Sequence, residues 1–284
     1  MRVVVGGVLV VVLLSTAVVV AAHPVIDRWQ LAEASPLPVV APAAAWPMPP
    51  AADPAVQALV DSVTWARVLP KIQKLAAFPT RYSTSPYNAA AAETLKAFFA
   101  HLGLTVQDHT FTWGSYTLHN IAATQTGTAS PDSIFVIGAH YDDMPSTGTA
   151  PGADDNASGV AAVMTAAELL AGRPFRYTIK YLCFGGEEQG TNGSEAWAAW
   201  ARAQNLAIVA MLNFDMIGWW TAGVDFDLEV EVGTAMTWLS DVITGAAALY
   251  TTMPCHVHVD DGAWWGDHYP FWQQGYHAAN HEEA

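Results

Sequence analysis

The chain has 284 residues, 52% of them hydrophobic, with 11 Lys plus Arg against 26 Asp plus Glu and a formal net charge of -15 at pH 7. That length and apolar content can bury a full core of α/β size. The shortage of cations and the lack of any basic patch exclude nucleic acid as a partner.

In chain order, Met1 and Arg2 are followed by an almost unbroken apolar run over 3–22, closing on Val20, Ala21 and Ala22 before His23. This reads as a signal peptide cleaved at residue 22, placing the rest in a secreted, periplasmic or extracellular setting. The alternative is an uncleaved membrane anchor with the folded domain outside, since about 20 apolar residues span a bilayer. Residues 23–55 are rich in Ala and Pro, including Pro36, Pro38, Pro42, Pro47, Pro49, Pro50 and Pro54. They read as a linker or propeptide, because so many prolines forbid a regular helix or a central strand. The folded domain is then 56–284.

Within it, apolar residues at helical spacing predict a helix over 56–77, interrupted at Pro70. A second helix is predicted over 87–102, ending at Gly103. Strands are predicted over 104–106 and after Asp108, over 116–124 and over 133–139. The pattern then alternates: helix 157–171, strand 177–184, helix 192–204, strand 208–214. Strands first, then alternating helix and strand, predict a three-layer α/β/α fold with a central mixed, mostly parallel sheet.

The chemistry gathers at the strand ends, the edge of an α/β sheet where ligands bind. His140 and Asp142 follow the run Ile134-Phe135-Val136-Ile137. Asp154, Asp155 and Asn156 precede the helix at 157, Glu187 and Glu188 follow Gly185-Gly186, Asp215 follows Leu212-Asn213-Phe214, and His268 follows Gly266-Asp267. Taken singly, Asp-Asp-Asn before a helix is an N-cap, and a lone histidine at a strand end is hydrogen-bonded structure. Taken together, two histidines and several carboxylates without thiolates suit an open hydrolytic zinc site, with manganese or cobalt as weaker alternatives. The number of donors fits two metals sharing a bridging carboxylate better than one. Of two adjacent glutamates, one can bind metal while the other serves as a base.

His140-Tyr141-Asp142, the run from Gly152 to Gly159, Gly185-Gly186-Glu187-Glu188-Gln189-Gly190 with Gly193-Ser194, Asn213-Phe214-Asp215 and Asp267-His268 resemble, in order and spacing, the di-zinc exopeptidase family. That family includes secreted bacterial leucyl-type aminopeptidases, glutamate carboxypeptidase type II and glutaminyl cyclases. The resemblance runs from about Leu75 to the end of the chain. It implies two zinc ions: Asp155 bridging, its bond to Asn156 cis, His140 and Asp215 completing one site, Glu188 and His268 the other. It implies Glu187 as general base and acid toward a bridging hydroxide, and Asp142 as acceptor for the free ring N–H of His140. The chain stops at His281-Glu282-Glu283-Ala284, where members of that family continue, so a truncated or divergent end is expected.

The implied activity is that of a metallopeptidase: a monomeric, zinc-dependent aminopeptidase acting on a peptide or protein N-terminus. One alternative is a glutaminyl-cyclase-like single-zinc acyltransferase, and another is a non-catalytic binding domain on a decayed peptidase scaffold. A membrane enters only if the amino-terminal segment stays uncleaved. With no Lys or Arg after Arg202, recognition of a free amine by acidic groups is better supported than recognition of a terminal carboxylate. Trp219, Trp220, Trp264, Trp265, Phe271 and Trp272 either line an apolar pocket for a leucine- or phenylalanine-like first side chain or pack against the sheet. Cys183, in a predicted central strand, reads as a buried thiol rather than half of a disulfide. His256 and His258, alternating along a probable strand, read as solvated or structural.

Overall fold

The computed structural model describes residues 51–145, 148–219, 227–262 and 265–283. The predicted signal segment and nearly all of the Ala/Pro-rich stretch lie outside the described residues.

The first helix, α1 (Pro54–Asp61), starts where Asp53 accepts a hydrogen bond from the Ala55 amide and Pro54 supplies the first helical φ. The break expected at Pro70 falls earlier. Ser62 turns its hydroxyl back onto the carbonyls of Ala58 and Leu59 and ends α1, and α2 (Trp65–Ala76) then runs straight through Pro70. Losing one amide donor is tolerated there because α2 packs an apolar face, Val68, Ile72 and Leu75, into the core. Helix α3 (Pro86–His101) begins at a Ser85 cap, again with proline in its first turn.

The strands are β1 (Thr105–Trp113), β2 (Tyr116–Gln125), β3 (Ser130–His140), β4 (Tyr177–Phe184), β5 (Ala207–Phe214), β6 (Leu228–Val232), β7 (Cys255–Val259) and β8 (Ala278–Glu283). The remaining helices are α4 (Ala157–Leu170), α5 (Asn192–Ala203), α6 (Thr237–Tyr250) and α7 (His268–Gln273). All eight strands lie in one sheet in the order β1-β2-β4-β3-β5-β8-β6-β7. The centre, β4-β3-β5-β8, is parallel, whereas β1-β2, β2-β4 and β6-β8 are antiparallel. The mixed, mostly parallel sheet expected from the sequence is therefore present.

Alternation along β3 shows how both faces are covered. Phe135, Ile137 and Ala139 point into a core shared with α1 to α4 and α6, while Ile134 and Val136 point into a second core with Trp197 of α5 and Phe271 of α7. This makes three layers. Cys183 is a free, fully buried thiol of the first core, and Cys255 is also free.

Candidate metal centre

The carboxyl ends of β3, β4 and β5 converge. His140 ends β3, and its Nε2 lies 3.2 Å from Asp155 Oδ1 and 3.3 Å from Asp215 Oδ1. Donor atoms of these three residues all lie within 4.8 Å of one another. Glu187 is next to them, its Oε2 3.9 Å from His140 Nε2.

Each side chain is held by a local device. After β3, the chain is clamped by Arg81, which is fully buried. Its backbone amide donates to both Asp143 carboxylate oxygens, at 2.8 and 2.7 Å. Its guanidinium donates to the carbonyls of Tyr141 (2.7 Å), Leu75 (3.1 Å), Pro151 (2.7 Å) and Gly152 (2.9 Å). One cation thus ties the loop carrying His140 to the loop carrying Asp155. Gly152 is required for this closeness: its φ is +48° and a Cβ there would stand 2.5 Å from the Asp155 carbonyl oxygen and 2.7 Å from the Arg81 guanidinium.

The Asp155–Asn156 peptide is cis, as the resemblance implied. Asn156, rather than either aspartate, caps α4: its Oδ1 accepts from the Gly159 amide at 2.9 Å, and its Nδ2 donates to the Phe214 carbonyl at 2.9 Å. The start of α4 is therefore tied to the residue preceding Asp215. Asp154 turns away and accepts from the Gly218 amide at 2.8 Å.

Asp142 is fully buried. Its carboxylate is 3.7 Å from His140 Nδ1, which lies nearer, at 3.3 Å, to the Asp142 backbone carbonyl. Instead, the two carboxylate oxygens accept from the amides of Glu187 (3.1 Å) and Glu188 (3.3 Å). Asp142 thus sets the position of both glutamates.

The electrostatics follow from burying so many acids together. Burial disfavours the His140 imidazolium, yet the charges of Asp215 and Glu187 and the nearby carboxylates of Asp142 and Asp155 push its pKa well above the usual value. Glu187 is pushed up to about 7 by burial, opposed by His140 and aided by neighbouring carboxylates. Glu188 is raised to about 8, by burial and then by Asp155. The set fits a divalent transition ion: imidazole and carboxylate donors converge, and Glu188 Oε1 is buried without a hydrogen-bond partner.

His268 is placed apart from this group. It opens α7, whose Phe271 is stacked on Trp197 and edge-on to Phe184 in the second core. The His268 ring meets Trp272, one helical turn on, at 4.6 Å. So anchored, His268 points its Nε2 at Glu231 Oε2, 3.6 Å away, and neither ring nitrogen has a hydrogen-bond partner. Burial lowers its pKa to about 3. The neighbouring Asp267 is fully buried with both carboxylate oxygens unpartnered, its pKa raised well above the usual by burial and then by Glu187.

A cavity of about 490 Å³ opens over β6, β7 and β8. Its walls are acidic rather than aromatic. Of the six predicted rings, Trp265 lines it, Phe271 and Trp272 pack in or against the second core, and Trp219 is exposed. Trp220 and Trp264 lie outside the described residues. His256 and His258 are exposed and pair with Asp227 and Glu229.

Fold and side chains together define the zinc-exopeptidase class of α/β/α proteins. Residues 120–284 match the model of peptidase family M28, and the chain belongs to that family. It is 30% identical over 245 residues to leucine aminopeptidase 1 of Trichophyton equinum, covering 78% of this chain and 64% of the relative. It is 30% identical over 222 residues to a probable zinc metalloprotease of Pyrenophora teres f. teres, covering 69% and 46%. The chain thus spans about half to two thirds of the length of these relatives. Among solved structures, the LapA aminopeptidase of Legionella pneumophila superposes with a TM-score of 0.68 at 22% identity, over 80% of this chain and 63% of that one. The glutaminyl cyclase of Fimbriiglobus ruber does so at 0.58 and 20%, over 76% and 82%. At such identities these two superpositions speak for the fold alone.

Proposed function

We propose that this chain is the catalytic part of an exported, monomeric zinc aminopeptidase that removes the first residue of peptides or proteins. His140 and Asp215 would hold one zinc ion, Glu188 and His268 a second, and Asp155 would be shared. Zinc supplies a Lewis acid and makes water acidic enough to attack a carbonyl near neutral pH.

The chain's own residues do the rest. Glu187 moves the proton, taking it from the attacking water and handing it to the leaving amine. Asp142 keeps Glu187 in place through the Glu187 amide, and Arg81 keeps the loops of His140 and Asp155 in register. The observation that carries this reading is the position of Glu187: partly buried, 3.9 Å from the ring of His140 and held by its amide on Asp142. Export rests on the apolar run after Met1-Arg2.

Glu187→Gln should reduce turnover of a leucyl chromogenic amide by about a hundredfold or more while metal analysis still finds two zincs per chain. A variant that keeps most of its activity would remove Glu187 from this role. A single-zinc, glutaminyl-cyclase-like reaction is the second reading, favoured by the observation that three donors rather than five converge among the described residues. One zinc per chain, with conversion of a glutaminyl N-terminus to its cyclic form and no amide hydrolysis, would select it. Any amide hydrolysis excludes a purely non-catalytic binding domain.

A further inference from the structure

We propose that Asn120, on β2, is a positioning residue for Glu187: its side-chain amide closes the loop that carries both glutamates and seats that loop on the sheet. The assignment rests on the role given to Glu187 above. Strand β4, which leads into the loop, lies between β2 and β3. The antiparallel ladder of β2 with β4 stops at Ile121 and Cys183, so Gly185 lies beyond it. Asn120, beside Ile121, takes over with its side chain. Its Oδ1 accepts from the Gly185 amide at 3.1 Å, and its Nδ2 donates to the Gly193 carbonyl at 2.8 Å. One fully buried amide therefore holds both ends of the segment 185–193.

The segment is bonded to itself closely enough to pass a displacement on. The amides of Gly190 and Thr191 both donate to the Glu187 carbonyl at 2.7 Å. Asn192 donates to the Gly186 carbonyl from its backbone (3.0 Å) and from Nδ2 (3.2 Å), and Nδ2 also reaches the Gln189 carbonyl at 3.0 Å. A shift at its ends is thus carried to Glu187 rather than absorbed on the way. The strands flanking β4 supply one fully buried side chain each to fix the loop: Asp142, just past β3, takes the amides of Glu187 and Glu188, and Asn120 takes the two ends. A base that must meet a reacting proton tolerates little misplacement, about 1 Å costing on the order of a hundredfold in rate.

Two neighbours fix how the Asn120 amide is turned. Its nitrogen also faces His109 Nδ1, 3.2 Å away on the paired strand β1. An amide nitrogen only donates, so that ring nitrogen accepts. His109 in turn rests against Trp200 of α5, the helix whose first turn holds Gly193. Gly193 is the second constraint. A Cβ there would collide with the Gly185 carbonyl oxygen and stand 2.5 Å from Asn120 Oδ1, so a larger residue would force the two ends of the loop apart.

The test uses the full chain. At saturating zinc, Asn120→Ala and Gly193→Ala should each lower kcat for a leucyl 4-nitroanilide by about tenfold to a hundredfold, with KM little changed because the loss falls on the transition state. In the metal-free chain, amide hydrogen exchange over 186–192 should quicken by about tenfold in both variants. Leu59→Ala, a core truncation in α1, controls for lost stability alone: it should lower the melting temperature and produce neither effect. Asn120→Asp keeps an acceptor for the Gly185 amide but loses the donor to Gly193; it should also lose kcat, and it serves if Asn120→Ala does not fold. Quickened exchange over 186–192 supports the clasp even if the parent cleaves no amide, an outcome that would sink the peptidase reading instead. A kcat equal to the parent's, or exchange over 186–192 no faster than in Leu59→Ala, overturns the role of Asn120 and leaves the peptidase standing.

Discussion

Arg81 is one of only 11 Lys and Arg in the chain, and the structure spends it entirely inside, on carbonyl oxygens and Asp143. Burial lowers its pKa, against the pull of Asp143, Asp142, Asp155 and Glu188. Replacing it with methionine keeps much of the volume but removes the ion pair to Asp143, which keeps its bonds from the residue 81 amide and the Thr80 hydroxyl, and strands four carbonyls. We expect a loss of about 3–5 kcal/mol in denaturant unfolding, together with weakened zinc retention, because two metal-binding loops lose their common tie. A variant that keeps both stability and zinc would show that the clamp is dispensable. His281 acts in the opposite sense. It is buried, stacked on Phe214 and hydrogen-bonded to the Asn213 carbonyl at 2.7 Å, and burial lowers its pKa from 6.5 to about 4. The unfolded chain therefore takes up this proton first as the pH falls. The stabilisation is complete above 6.5 and is lost between 6.5 and about 4, a span worth up to about 3 kcal/mol. Glu187 and Glu188, whose pKa values are raised, slope the other way, so the readout is a difference. Between pH 7 and 4.5, His281→Phe should lose less melting temperature than the parent, and equal losses would contradict the argument.

At the scale of elements, α4 is both a core helix and a positioning device. Asn156→Ala removes its cap and the bond to the Phe214 carbonyl, and should cost about 1–2 kcal/mol while weakening zinc binding through the displaced Asp215. Loss of stability with unchanged zinc affinity would confine Asn156 to capping. This helix, with β3 and β4, was legible in the sequence because long apolar runs bounded by glycine and acidic residues have few alternative readings. So were the positions of His140 and Asp215, each at the end of a strand that such runs define, and of Asp155, just before the helix. β6 and β8 were not. Leu228-Glu229-Val230-Glu231-Val232 is short, and Ala278-Ala279-Asn280-His281-Glu282-Glu283 contains no β-branched residue; its place beside β5 is fixed by pairing and burial rather than propensity. Arg81 was invisible for a related reason, because its partners lie up to 71 residues away. The orientation of His268 depends on how Phe271 seats α7 in the second core, and the acidic cavity on how β6 registers with β8. None of these is local information.

For the whole molecule, a net charge of -15 and a centre crowded with carboxylates lead us to expect that bound cations add to stability. Zinc bound at about a hundredfold over its Kd adds about 2.7 kcal/mol, so a chelator should lower the melting temperature by about 5–10 °C and excess zinc should restore it. A melting curve indifferent to both would argue that no metal belongs at His140, Asp155 and Asp215. The order of the sheet has a further consequence, one of timing. β8 lies between β5 and β6, so the β6-β7 pair joins the central strands only through residues 278–283, which the ribosome delivers after every other described strand. Until they emerge, the Asp215 amide lacks the His281 carbonyl, and the Glu229–Glu282 wall does not exist. In a chain of this topology the backbone contact of a metal-centre aspartate and the acidic wall of the cavity are completed together, by the same six residues, 278–283.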